Sequence, residues 1–165
     1  MAELDKLVEQ YVNGNKDVFD QIYEETKRSV YLSIYAIISD HDMAESIMQD
    51  AYLKALDALA SYKVGSNFKA WISRTARNTA INYYNRESKI SYVDAYDNDE
   101  AFGSSSSTPL IDSALAILDG SEKEVFTYRI ILGYKFKDIG KILNMNLKTA
   151  FAIYKKAINK VKEQI

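Results

Sequence analysis

Apolar residues recur every three or four positions along most of this chain of 165 residues, and a single proline, Pro109, interrupts the pattern. Strict alternation of apolar and polar residues, the mark of a half-buried strand, is almost absent. A helix repeats every 3.6 residues and a strand every two, so this spacing predicts an all-α chain. It predicts a helix from about Leu4 to Val12, stopped at Asn13-Gly14. A second, capped by Asn15, spans about Lys16 to Ile38. A third opens with Asp42 and Glu45 as a capping box and runs to about Ala60. A fourth covers about Phe68 to Arg86, after a loop at Ser61 to Asn67.

Residues 91–108 read SYVDAYDNDEAFGSSSST. They are acidic, rich in Ser and Gly, and without helical period, as a flexible tether would be. This divides the chain into a helical domain at 1–90, a linker at 91–108 and a second helical domain at 109–165. In the latter, Thr108-Pro109 opens a helix to about Leu118. Ser121 and Glu124 form the capping box of another that ends at Gly133. A short helix from Lys135 to Leu143, a turn at Asn144-Met145-Asn146 and a longer helix from Leu147 to about Glu163 follow. That order is the helix-turn-helix pattern, with Asn146 as the cap of its second helix.

Composition excludes several function classes. There is no cysteine, hence no disulfide or thiolate metal site. No cofactor and no metal are expected. No apolar run approaches the ~18 residues of a membrane span, and Met1 to Gln10 is too polar for a signal peptide, so a cytoplasmic protein with no membrane contact is expected. The one histidine, His41, lies between Asp40 and Asp42. Such a trio can do acid–base work, but a solvated turn residue is the plainer reading. With no Gly-rich phosphate loop either, the chain is not expected to be an enzyme.

The net charge of −2 conceals alternating blocks. Residues 1–62 carry five Lys/Arg against twelve Asp/Glu, and residues 63–89 carry six against one. Residues 90–110 carry none against four, and residues 133–165 carry eight against two. Basic blocks suit phosphates, and an acidic block suits a basic protein surface.

Three segments carry the chemistry. On the third helix, Glu45, Gln49, Asp50 and Asp57 surround a lone apolar residue, Leu53. That Leu is either an ordinary exposed side chain or the anchor of a protein contact. The segment from Tyr62 and Lys63 through Phe68, Trp71, Arg74, Arg77, Asn78, Asn82 and Tyr83 interleaves cations, amides and rings. Single-stranded DNA needs this mixture: cations neutralise phosphates and each unstacked base regains about 1–3 kcal/mol on an aromatic face. Phe68 and Trp71 fit a core role equally well. In the last helix, Asn146, Lys148 and Thr149 would meet the major groove and Lys155 and Lys156 the phosphates.

With these segments in family order and at family spacing, the chain resembles a bacterial RNA polymerase sigma factor of the small, two-domain extracytoplasmic-function type. Asp42-x-x-Glu45-Ser-Ile-Met-Gln49-Asp50-Ala-Tyr-Leu53-Lys resembles the segment by which that family docks on the polymerase clamp helices. Phe68-x-x-Trp71-Ile-x-Arg74-x-Ala76-x-Asn78-x-Ala80-x-Asn82-Tyr83 resembles the segment that melts and reads the −10 element. Leu132 to Leu143 resembles the helix before the turn, and Asn146-x-x-Thr149 the start of the −35 recognition helix. The resemblance implies core RNA polymerase, promoter DNA (duplex and melted) and an anti-sigma factor as partner classes. It also implies that the loop Tyr62 to Asn67 holds a flipped base, and that the polymerase supplies all catalysis.

One departure stands out. After Thr149 the family has Val-Lys-Ser-Arg, whereas this chain has Ala150, Phe151, Ala152 and Ile153. Each missing phosphate contact lowers affinity and flattens the salt dependence by roughly one unit of slope. Either Lys148, Thr149, Lys155 and Lys156 suffice, or the helix reads DNA weakly. Phe151 and Ile153 would then meet a protein or pack in the core. A stand-alone helix-turn-helix regulator and a sigma-like interaction module without DNA reading are the competing functions.

Overall fold

A computed structural model describes residues 2–87, 109–118 and 120–164. The acidic tether expected at 91–108 lies outside the described residues. Among them the chain is helical throughout, with no strand. The helices are α1 (Glu3–Val12), α2 (Phe19–Tyr35), α3 (His41–Asp57), α4 (Phe68–Glu87), α5 (Pro109–Ile117), α6 (Gly120–Phe126), α7 (Phe136–Leu143) and α8 (Leu147–Gln164).

The local signals mostly act where the sequence places them, with three shifts. Asn15 accepts from the Asp17 amide at 3.1 Å, but opens only a single 3-10 turn before α2 begins at Phe19. Asp40, not Asp42, caps α3: its carboxylate accepts from the Met43 amide at 3.0 Å. An extended Asp40 reaches back to that amide, while Asp42 is already helical and cannot. The Ser121–Glu124 box does not describe the start of α6, because Glu124 commits both carboxylate oxygens to another helix. After α6, residues Thr127–Ile131 widen into a π turn.

Packing follows the period. α1 gives Leu7 and Val8, α2 gives Ile22, Val30 and Ile34, α3 gives Ala44, Ile47 and Ala51, and α4 gives Ile72, Ala76 and Ala80 to one core. Polar groups inside it are matched: Thr26 on α2 bonds the Ile22 carbonyl at 2.8 Å and the Tyr52 hydroxyl at 2.7 Å. A second core joins Val125, Tyr128, Ile139, Ile142, Leu143 and Ala150, and it includes Ala70 of α4. A third gathers Ala114, Leu118, Phe126 and Ala157. α4 therefore faces two ways. Its alanines allow close approach to α2 on one side and α7 on the other.

α7 and α8 are joined by Asn144, Met145 and Asn146. Asn144 takes the left-handed conformation (φ 56°) and ends α7. Asn146 accepts from the Thr149 amide at 2.8 Å and caps α8. Gly140 is needed here for space: a Cβ on it would lie 2.6 Å from the Met145 carbonyl oxygen. Among the described residues no helix is long and apolar enough to cross a membrane.

Candidate nucleic-acid and polymerase interface

α3 turns its apolar stripe inward and leaves an acidic face open. Glu45, Gln49, Asp50 and Asp57 are exposed, and Leu53 among them is 63% exposed. Gln49, Leu53 and Asp57 follow at i, i+4 spacing, and Asp50 is three residues before Leu53, so Leu53 is the centre of the patch. Glu45 is also 3.8 Å from His41, whose Nδ1 meets the Tyr31 hydroxyl at 2.9 Å. His41 is thus tied into the end of the helix bundle.

The start of α4 is held differently. Asn67 adopts φ 100° and its side chain accepts from the Ala70 amide at 3.2 Å, fixing the helix entry. Tyr62, Phe68 and Trp71 form one aromatic cluster, with ring centroids 5.2 to 5.5 Å apart. Tyr62 and Phe68 are buried in it, and the Tyr62 hydroxyl donates to the buried Asp5 carboxylate. Burial first, and then the Asp5 hydrogen bond, push the Tyr62 hydroxyl up to about 12. Against the expectation of base contact, Tyr62 is buried and anchors the loop to α1, and of the two roles open to Phe68 the structure gives it the core one. Trp71 is half-buried against them. Lys63 beside them is exposed.

Further along α4, Arg74, Asn78 and Asn82 are exposed. Tyr83 is half-buried, donates to the Met43 sulfur at 3.2 Å and has the Arg86 guanidinium 5.8 Å from its ring centre. Tyr84 is 55% exposed. Arg77 is otherwise engaged. Its Nε and Nη2 donate to the Glu124 carboxylate at 2.6 and 3.2 Å, a two-point pair shielded from water on both sides. Ser73 and Tyr134 share a hydrogen bond of 2.9 Å nearby. Arg74 lines an open cleft with Lys137, Lys141, Asn144 and Asn146. The C-terminal helices thus cover one flank of α4. Nothing in the sequence marks the Arg77–Glu124 pair, since the partners are 47 residues apart.

On α8, Lys148, Thr149, Lys155 and Lys156 are exposed as a groove-facing helix requires. Lys156 lies 3.7 Å and Lys160 2.8 Å from Glu122, so the far end of α8 is tied to α6. Phe151 is 45% exposed and Leu147 56%, whereas Ile153 is half-buried against the second core. The two apolar replacements noted in the sequence therefore divide: Ile153 packs inward and Phe151 stays on the surface.

Two solved structures share this fold. One is the sigma factor RpoE in complex with the anti-sigma factor NepR from Bartonella quintana, with a TM-score of 0.73, 23% identity, and coverage of 88% of this chain and 94% of that one. The other is CnrH in complex with the cytosolic domain of CnrY, with a TM-score of 0.73, 19% identity, and coverage of 97% and 95%. The likeness in both cases is one of all-α fold. Residues 22–90 match the family model of sigma-70 region 2, which takes in α2, α3 and α4. Similar chains include the extracytoplasmic-function sigma factor BldN of Streptomyces coelicolor, 24% identical over 158 residues and 88% of this chain. SigW of Bacillus subtilis is 28% identical over 90 residues and 54% of this chain, and YlaC of Bacillus subtilis is 24% identical over 143 residues and 80%. The matched parts span 59%, 48% and 80% of those three proteins. Over the matched residues the chain is similar to extracytoplasmic-function sigma factors.

Proposed function

We propose that this chain binds core RNA polymerase and directs promoter recognition and melting for transcription initiation. The single observation that carries it is the pairing of two helices inside the matched region. α3 holds an open acidic face centred on the 63% exposed Leu53, and residues 63–89, with six Lys/Arg against one Asp/Glu, supply α4 with a basic one. An acidic face with one apolar anchor suits the basic clamp helices of polymerase. A helix bearing cations, amides and partly sunk rings suits separated DNA strands.

In this reading residues 1–90 dock and melt, residues 91–108 tether, and residues 109–165 hold a helix-turn-helix for the −35 element. On α3 the docking residues are Glu45, Gln49, Asp50, Leu53 and Asp57. On the −10 side the contacts are Lys63, Trp71, Arg74, Arg77, Asn78, Asn82 and Tyr83, with Tyr62 and Phe68 shaping the loop beneath. On the −35 side they are Asn146, which caps α8, and Lys148, Thr149, Lys155 and Lys156 along it. The chain performs no catalysis of its own, works in the cytoplasm, and takes an anti-sigma factor as a further partner. Arg77 cannot serve Glu124 and DNA together, so promoter engagement goes with withdrawal of α6 from α4.

The test is a mobility shift and run-off transcription on a promoter library, with and without purified core. Specific shift and transcripts only with core support the proposal. A shift by the chain alone on duplex DNA makes it a stand-alone regulator, and no shift in either case makes it an interaction module.

A further inference from the structure

The surface that α8 offers to a groove is unusual in what it lacks. From Leu147 to Ile158 the helix has no Arg, Asn or Gln. Together with Lys, those are the side chains that grip guanine or adenine at two points in the major groove, so lysine is the one such type that this stretch retains. Asn146 does not replace them as a two-point reader, because its side-chain oxygen caps the helix on the Thr149 amide at 2.8 Å and leaves only its NH2 for a contact. What the first turns of α8 do expose is apolar: Leu147 at 56%, Phe151 at 45%, and Ala152 beside it.

This apolar spot is built and surrounded. The Phe151 ring stands edge-on to Phe136 at 5.4 Å, and Phe136 stands edge-on to Tyr154 at 5.2 Å. The Arg129 guanidinium lies 4.5 Å from the Phe136 ring centre and fixes it from the other side. Exposed Lys148, Lys155 and Lys156 ring the spot, and no Asp or Glu lies between residues 139 and 162. An apolar centre with a mainly cationic rim, in which Lys148 and Lys155 are exposed and Lys156 lies 3.7 Å from Glu122, complements duplex DNA, where phosphates flank the groove and the apolar feature of its floor is the thymine C5 methyl.

We infer that Phe151, with Leu147, reads thymine methyl groups in the upstream promoter element, and that Lys148, Lys155 and Lys156 hold the adjoining phosphates. This rests on the sigma-factor reading and names the feature of DNA that its last helix recognises. Phe136 acts as a positioning residue for the Phe151 ring.

The experiment uses the full chain with core polymerase. Duplexes with a randomised upstream element are selected by binding, and each enriched thymine is then replaced by deoxyuridine, which removes only the methyl. The expected result is enrichment of thymine at one or two positions and an affinity loss of about four-fold per methyl removed. Phe151→Ala should bind the thymine duplex several-fold more weakly and no longer distinguish it from the deoxyuridine duplex. Phe151→Leu should keep part of the preference. Melting curves of both variants show that the fold persists. Enriched sequences with no response to deoxyuridine overturn the inference alone. Equal promoter affinity for Phe151→Ala also overturns it, and assigns the patch to a protein partner. If the complex enriches no sequence at all, the sigma-factor reading fails with it.

Discussion

α3 and α4 are neighbours of similar length, and each carries mainly one sign of charge outward, yet their outer faces are in opposite states. The face of α3 around Leu53 is open to solvent. The face of α4 is partly occupied, because Glu124 holds Arg77, while Arg74 stays exposed at the rim of an open cleft against α7. The difference teaches an order of events. On the proposed function, docking through α3 needs no rearrangement and Arg74, Asn78 and Asn82 on α4 are already exposed, whereas DNA contact through Arg77 needs α6 to move. Closure is itself a compromise. It buries one opposite-charge pair and brings Arg74 together with Lys137 and Lys141, three like charges around one cleft.

The largest expected effect tests the open side of that contrast. Leu53→Asp with Gln49→Ala should lower affinity for core polymerase by at least 30-fold, since truncating an interface anchor costs about 2 kcal/mol or more. Both residues are exposed, so the melting temperature should be nearly unchanged. Unchanged core affinity in a titration would mean that polymerase docks elsewhere and that the openness of α3 has no bearing on order.

Next in size is the closed side. Arg77→Ala with Asn82→Ala should cut promoter opening about ten-fold or more while sparing core affinity, read by permanganate reactivity of melted thymines. Arg77→Ala also strands the buried Glu124 carboxylate, which costs about 3–5 kcal/mol if the helices cannot separate. A charge exchange, Arg77→Glu with Glu124→Arg, should restore thermal stability and leave opening impaired. Recovery of both would reduce Arg77 to a structural partner. The third effect is smaller. Glu124→Gln weakens the pair without a large cavity and should raise affinity for a melted −10 strand by a few-fold, with docking on core constant. No change would show that closure does not limit access to α4.

The contrast was legible in the sequence only in half. The acidic ring around Leu53, the stripe of Ala44, Ile47, Met48 and Ala51, and the cap at Asn146 are local patterns within one or two turns, where period and capping chemistry act directly. The charge of the Lys63 to Lys89 block was equally plain. Its occupancy was not, because Arg77 and Glu124 meet across a long separation with no motif at either end. Composition suits the rings at Tyr62 and Phe68 to nucleotides, and Phe68 equally to the core. Their burial depends on α1, whose Asp5 supplies the buried acceptor, and nothing near Tyr62 announces that partner. Phe151 and Ile153 show the same limit on α8: two apolar residues two positions apart read alike in sequence, and only packing separates the inward one from the exposed one.

The smallest effect sharpens the comparison at the root of α4. The Tyr62 hydroxyl is raised to about 12 by burial and by Asp5, whereas an unfolded tyrosine titrates near 10. Its native form is therefore the protonated one. The stabilisation is complete below pH 10 and is lost as pH rises through 12, because the unfolded chain releases its proton first and gains from each further unit. Tyr31, Tyr52, Tyr128 and Tyr134 are raised in the same direction, chiefly by burial, so the whole molecule should lose stability in this window. Tyr62→Phe isolates one share. It removes a titrating proton and leaves Asp5 short of a donor, so the variant should be less stable at neutral pH, by about 1–3 kcal/mol. Its denaturation midpoint should then fall less steeply than that of the unaltered chain between pH 10 and 12. Parallel slopes would mean that the hydroxyl titrates as if exposed, and that the ring at the foot of α4 is open to a base after all.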